Sequence, residues 1–160
     1  MRRVARTTIS AVDPARSEQM ARVRGKDTKP ELKVRRFLHA AGLRFRLQAK
    51  ELPGRPDIVF RSRRVAVFVH GCFWHRHDDP DCKLSRMPKS RQEFWGPKLK
   101  ANAERDRRNV DALRELGWTV EVVWECDLGS AALEALSRRI KAAPRHRALR
   151  VELKVPKRHP

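Results

Sequence analysis

Acidic residues are scarce in this chain of 160: 19 Asp and Glu stand against 38 Lys and Arg, a formal charge of +19. The imbalance disfavours a cationic partner and favours a polyanion, because the summed charge acts over several ångströms of surface. Nucleic acid is the commonest polyanion to match it, through phosphate neutralisation and counterion release. A merely soluble, Arg-rich protein is the alternative that composition leaves open. Long apolar runs are also missing. No segment approaches the roughly 20 apolar residues of a spanning helix, and Met1–Ser10 holds three arginines where a signal peptide would be apolar. The expectation is a cytoplasmic protein. Cysteine is rare, at Cys72, Cys82 and Cys126. An odd number of thiols in a reducing compartment argues against a disulfide framework and leaves metal binding or plain burial. Internal repeats are lacking too, so the length reads as one domain with enough chain for a real core.

What is present alternates between helical and strand patterns. Residues 1–24 are basic and poor in apolar residues, and are expected to form a mobile N-terminal arm in which Ser17–Arg24 could be a short helix. Thr28-Lys-Pro-Glu31 is a helix start: Thr28 caps, Pro30 is tolerated in the first turn, and Glu31 closes a capping box. Val34, Phe37, Leu38 and Ala41 follow at helical spacing, and Gly42 is the stop. Leu43, Phe45 and Leu47 alternate with polar residues as a half-buried strand would. A rigid turn, Leu52–Pro56, delivers Asp57–Phe60 as a short strand, and Arg61–Arg64 is a basic hairpin loop. Val65–Val69 is apolar throughout, as a strand covered on both faces would be. Gly71–Gly96 has no period but holds two Trp, two Phe, two Cys and two His. A loop that long is uncommon unless it is functional or stapled. Pro97–Leu116 is helical and ends at Gly117, Trp118–Trp124 is the last strand, and Ser130–Ala142 is an amphipathic helix. The reading is an α/β domain over residues 25–142, with a mixed central sheet flanked by helices and a basic tail at 143–160.

Several residues carry chemistry. Asp57 stands at the head of a strand behind two prolines, and Mg²⁺ takes one or two such carboxylates with phosphate oxygens and water. An Asp that only ends a Pro-Gly turn is the plainer explanation. Glu31 is sufficiently explained as a cap. His70 ends a strand and His75 follows, and either imidazole can hold or pass a proton near neutrality. Cys72, His77, Cys82 and Cys126 offer three thiolates and one imidazole, a set that suits a closed tetrahedral Zn²⁺. Such a staple would tie an apolar-poor loop to the end of the last strand, a structural role rather than a catalytic one. Phe73, Trp74 and Trp95 lie among Arg and Lys, where aromatic rings can wedge between base pairs; the other option is a small core of their own. Asn102 and Asp106 share one helix face. Asp106 could orient a histidine, but the surrounding Glu104–Arg108 charges point to a solvated face.

Six strings appear in one order: Pro53-Gly-Arg-Pro-Asp57, Val69-His-Gly-Cys-Phe-Trp-His75, Glu93-Phe-Trp95, Asn102-Ala-Glu-Arg-Asp106, Leu116-Gly-Trp118 and Val123-Trp-Glu-Cys126. From about Ser17 to about Leu128 they closely resemble the very short patch repair (Vsr) DNA mismatch endonucleases. The resemblance implies a restriction-endonuclease-like core and a monomer that nicks duplex DNA 5′ of the mispaired T in T·G mismatches, which arise when 5-methylcytosine deaminates. It implies Mg²⁺ at Asp57 and the Val69 carbonyl, with His70, His75, Asp106 and Glu31 in the active site. It implies structural Zn²⁺ on Cys72, His77, Cys82 and Cys126, and DNA contacts from Met20, Phe73, Trp74, Trp95 and Asn102. It further implies a bacterial, nucleoid-associated enzyme working with mismatch-repair proteins and a repair polymerase.

Three features depart from the family pattern. Val69 stands where a threonine is familiar, which is harmless if only its carbonyl binds metal. The His77–Cys82 loop is longer, adding Asp and Pro, and the basic C-terminal tail has no counterpart. Two rival readings fit parts of the sequence. A zinc-stapled DNA-binding module without catalysis explains charge, aromatics and cysteines but not Asp57, His70 and His75. A basic RNA-associated structural protein leaves the loop and its cysteines without a purpose.

Overall fold

Val65, Ala66, Val67, Phe68 and Val69 leave a strand no face that water can solvate, and the fold covers both. The computed structural model describes residues 26–146; the expected arm at 1–24, with its short helix and Met20, and the tail from 147 onward lie outside the described residues. In chain order the described elements are α1 (Lys29–Ala40), β1 (Arg46–Leu47), β2 (Ile58–Phe60), a 3₁₀ turn (Arg61–Arg63), β3 (Val65–His70), a second 3₁₀ turn (Lys83–Ser85), α2 (Gln92–Glu115), β4 (Thr119–Trp124) and α3 (Ser130–Ala142). They form one four-stranded sheet in the order β1-β2-β3-β4. β1, β2 and β3 are antiparallel in sequence, whereas β3 and β4 are parallel, so the sheet is mixed.

Strand alternation divides the core. Val65, Val67 and Val69 pack with Ile58 and Phe60 against Val34 and Leu38 of α1 and Leu133, Leu136 and Ile140 of α3. Ala66 and Phe68 face the other way, onto Leu113 and Val110 of α2. All six β3 residues are buried, and each fully buried Val or Leu stabilises the fold by roughly 1.5–3 kcal/mol. The same alternation assigns His70 to the α2 face, where the sequence offers no apolar reason for it to be.

Helix α1 begins as expected. Thr28 is the N-cap and accepts from the Glu31 N–H, with Pro30 in the first turn; Gly42 (φ +81°) and Gly117 (φ +77°) follow α1 and α2 in the left-handed conformation. Two expectations need correction. Helix α2 starts at Gln92 rather than Pro97 and keeps Pro97 inside it, so Phe94 and Trp95 belong to a helix and the irregular stretch is shorter. The Leu43–Leu47 alternation yields only a two-residue strand. Leu43 is buried and Phe45 packs edge-on against Phe60, but Leu47 is exposed at this sheet edge. The expected Arg61–Arg64 loop is a 3₁₀ turn closed by Arg64 in the left-handed region.

Candidate active site and metal centre

The antiparallel register of β2 and β3 sets Ile58 opposite Val67, which brings Asp57, one residue before β2, beside the end of β3. There the Val69 N–H donates to Asp57 Oδ2 at 2.8 Å. The approach to Asp57 is rigid. Leu52–Arg55 is a type II turn, with Pro53 and Gly54 (φ +70°) at its centre and the Arg55 N–H donating to the Leu52 carbonyl at 3.1 Å. A Cβ on Gly54 would lie 2.8 Å from Asn109 Cβ, so α2 packs directly on the turn's backbone. Pro56 is fully buried. Burial pushes the Asp57 carboxyl up to about 6 against the pull of the Val69 N–H, and Glu31 adds to the rise.

Glu31 is more than a cap. It is buried, and its carboxylate accepts from the Asp27 N–H (3.0 Å), Thr28 Oγ1 (2.9 Å) and Arg35 Nη2 (2.6 Å). Arg35, which sequence reasoning did not single out, is buried beneath this group, and its Nε has no partner among the described residues. One of two adjacent arginines within a basic helix gives no sign of such a position.

Opposite Asp57, the chain after β3 folds back on itself. The His75 N–H donates to the Gly71 carbonyl and the His77 N–H to the Cys72 carbonyl (3.1 and 2.9 Å), with Arg76 at φ +51°. This tight turn stacks the His75 ring on His70, centroids 3.9 Å apart and planes within 4°. His75 Nδ1 meets Asp106 Oδ2 at 2.6 Å. The solvated face expected for Asp106 from its charged neighbours is thus overturned: it reaches inward from α2 to a loop 31 positions away. Burial and the neighbouring His75 hold His70 down at about 4. Burial pushes the Asp106 carboxyl up, but the His75 hydrogen bond, with the charges of His75, His70 and Arg105, brings it below its usual range. Glu31, Asp57, Val69, His70, His75 and Asp106 all line one cleft of about 1180 Å³.

The second group sits behind the first. In the parallel register His70 pairs with Trp124, so Cys72 and Cys126, each two residues further on, emerge side by side. The turn after β3 adds His77, and the loop returns Cys82; the four ligand atoms lie within 4.8 Å of one another. Cys126 Sγ is 3.4 Å from His77 Nδ1, close to the ~3.6 Å edge of a tetrahedron with Zn–S and Zn–N arms of about 2.3 and 2.0 Å. Burial pushes the Cys72 thiol up to about 12, while the His77 hydrogen bond pulls Cys82 down to about 6. Thiols this close cannot all ionise without a cation between them. The donor set and spacing fit a tetrahedral metal ion.

Between the two groups lies Trp124. Its ring stacks on His77 (4.2 Å) and meets His70 edge-on (5.2 Å). Its role depends on the β3–β4 register, so it was not identifiable from composition or spacing. Phe73, Trp74 and Trp95 form an edge-to-face triangle with centroids 5.1–6.0 Å apart. The three rings are only half-buried. Phe94, not anticipated, extends the group and is exposed, with Arg91 and Lys98 over its ring. Asn102 Nδ2 donates to the Trp74 carbonyl at 3.1 Å, tying α2 to the aromatic turn.

Comparison with known proteins gives the family. Residues 11–83 match the family model described as DNA mismatch endonuclease Vsr. The chain is 54% identical over 122 residues to the type II nicking enzyme V.XorIIP of Xanthomonas oryzae pv. oryzae, covering 76% of this chain and 88% of that enzyme. It is 46% identical over 129 residues to the DNA mismatch endonuclease Vsr of Escherichia coli, covering 79% and 81%. It is 42% identical over 128 residues to the type II nicking enzyme V.NmeAIP of Neisseria meningitidis serogroup A, covering 79% and 89%. Identity at this level over most of both chains shows that the protein belongs to the Vsr family of DNA mismatch endonucleases.

Proposed function

We propose that the protein nicks duplex DNA 5′ of the mispaired T in T·G mismatches left by 5-methylcytosine deamination, using Mg²⁺ at Asp57, for very short patch repair. The observation that carries this reading is the 2.6 Å His75–Asp106 hydrogen bond, set in the same cleft as Asp57. A binding module has no need of a histidine held by one carboxylate opposite another.

The residues fit the metal. Asp57 Oδ2 is taken by the Val69 N–H, and Oδ1 has no partner among the described residues, which leaves a hard carboxylate oxygen facing the cleft wall. Mg²⁺ bound there, with the Val69 carbonyl as a further ligand, supplies Lewis-acid stabilisation to the charge developing on the scissile phosphate. The protein groups divide the proton work. With His75 Nδ1 committed to Asp106, Nε2 is the nitrogen left to take a proton from water or return one to the leaving oxygen. His70, kept neutral by burial, packs flat against His75 and limits its orientation. Glu31 is held rigid by three donors at the same wall.

The Cys72, His77, Cys82 and Cys126 group holds structural Zn²⁺ and fixes the turn that carries His75. Phe73, Trp74 and Trp95 act as a wedge on the DNA, with Asn102 steadying Trp74 from α2 and Met20 adding a contact from the arm. A T·G pair opens more cheaply than a Watson–Crick pair, so a wedge selects it through deformability. The mixed sheet with its parallel β3–β4 pair supports a restriction-endonuclease-like core for residues 25–142. A single chain supplies every proposed catalytic group, which supports action as a monomer, with mismatch-repair proteins and a repair polymerase following.

The test is nicking of a T·G duplex against a T·A duplex of the same sequence, in Mg²⁺ and in chelator, across a panel of flanking contexts. Strand-specific nicking of T·G alone, only with Mg²⁺, is expected. Equal nicking of T·A would remove the mismatch assignment, and nicking in chelator would remove the metal.

A further inference from the structure

Arg55 stands two residues before Asp57 and immediately before the buried Pro56. Its φ is +51°, a left-handed conformation that disfavours any residue with a Cβ. A residue preceding proline is biased toward extended backbone as well, so this position is doubly unfavourable. It is imposed from outside. The Leu52–Arg55 turn closes on one side, and Asn109 packs against Gly54 so tightly that the turn cannot relax toward α2. Strain of this kind persists where surrounding structure over-determines it, and it clusters at ligand-binding positions.

Among the described residues, the side chain held this way has nothing to bind. Arg55 is exposed, lines the cleft, and makes no ion pair or side-chain hydrogen bond among the described residues. The acid four positions earlier, Glu51, is already paired with Arg61. On the same wall lies Lys50, and the opposite wall carries Lys98 and Arg105, so the acidic floor of the cleft is rimmed by cations. A planar guanidinium with free donors is the group best matched to a phosphate.

We propose that Arg55 grips a backbone phosphate of the nicked strand next to the one presented to Asp57. The two Cα atoms are at most ~7 Å apart along the chain, so guanidinium and carboxylate attend the same stretch of DNA backbone. The inference rests on reading Asp57 as the place of cleavage. It gives the strained turn a purpose: the fold that positions the carboxylate also positions the phosphate.

The experiment compares full-length protein with Arg55→Gly, Arg55→Gln and Arg55→Lys, binding labelled T·G and T·A duplexes in chelator over a range of salt. Arg55→Gly should bind both duplexes about tenfold more weakly, and its plot of log affinity against log salt should be shallower by about one phosphate contact. Because glycine favours this φ, Arg55→Gly should melt no lower than wild type. Arg55→Gln should share the altered salt slope, and Arg55→Lys should recover most of the affinity. In Mg²⁺, the half-saturating DNA concentration should rise more than the maximal nicking rate falls. Wild-type affinity and slope in Arg55→Gly and Arg55→Gln would overturn the proposal, as would a loss confined to the T·G duplex. If wild type fails to nick T·G in any context, the proposed function falls, and the salt slopes still decide whether Arg55 holds a phosphate.

Discussion

Two clusters share the eight-residue segment His70–His77 and differ in almost everything else. His70, His75 and Asp106 lie within ligand distance of one another and open onto the cleft that holds Asp57; Cys72, His77, Cys82 and Cys126 lie equally close together behind it. Trp124 stands between them, touching one histidine of each. In the first cluster His75 Nδ1 bonds Asp106 at one side, and Nε2 is the ring nitrogen not used by that bond. In the second, three thiol sulfurs and an imidazole nitrogen gather within 4.8 Å of one another. The difference teaches how one short turn can hold two kinds of donor set: soft thiolates with an imidazole, of the type that suits a closed ion site, and an imidazole–carboxylate pair, of the type suited to proton transfer.

Four substitutions separate the two, from the largest expected effect to the smallest. Asp57→Ala should lower the nicking rate about 10⁴-fold, ~5.5 kcal/mol of barrier, with duplex binding retained; a residual rate within tenfold of wild type would break the assignment of the open site. Cys126→Ser should release zinc, measurable by metal analysis, and lower thermal stability by on the order of 3–5 kcal/mol through loss of the loop. An unchanged melting curve in a protein without zinc would mean that the closed cluster is not a staple. Asp106→Asn removes the charge that orients His75, and a drop in nicking of about 10²-fold with unchanged melting temperature is expected; full activity would show that His75 needs no orienting partner.

The smallest effect concerns metal-free stability. The Asp57 carboxyl titrates at about 6 in the fold, above its ordinary 3.8. As pH rises, the unfolded chain releases this proton first, so the metal-free protein loses stability between about pH 4 and pH 6 and stays at the lower level above it. Asp57→Asn abolishes that loss. In chelator at pH 7.5 it should therefore stabilise the protein by about 1–2 kcal/mol, allowing for solvent at the cleft, and have no such effect near pH 3.5. Calorimetry at the two pH values would show equal shifts if Asp57 were not desolvated.

Much of the local structure follows from short-range rules that the chain states plainly. Thr28 and Glu31 cap α1, Gly42 and Gly117 follow α1 and α2 in the left-handed conformation only glycine adopts freely, and Ser130–Ala142 forms the helix its periodicity demands. The identity of the ligand types is equally local, because thiolates, imidazoles and carboxylates carry their chemistry in the side chain. Pro97 misleads for the same reason. As a local signal it marks a helix start, yet the first turn forms upstream, where Phe94 and Trp95 pack on one another and Trp95 reaches Phe73 and Trp74.

The aromatic cluster shows where local reading stops. Sequence allows either a small core or a DNA-facing wedge, and the rings both touch each other and stay half-exposed. Asp106 shows it more sharply. Nothing in Glu104–Arg108 distinguishes one charged residue from the next, and only the docking of α2 against β3 and the turn after it selects Asp106 for His75.

By itself, then, the sequence determined the helices, the apolar central strand, the family and the inventory of reactive groups, since each depends on neighbours within a few residues. Tertiary structure decided their partners. The antiparallel β2–β3 register placed Asp57 on Val69, the parallel β3–β4 register placed Cys126 beside Cys72, and strand alternation sent His70 to the α2 face. Pairing of this sort is set by burial summed over the whole sheet, which no single stretch of residues contains.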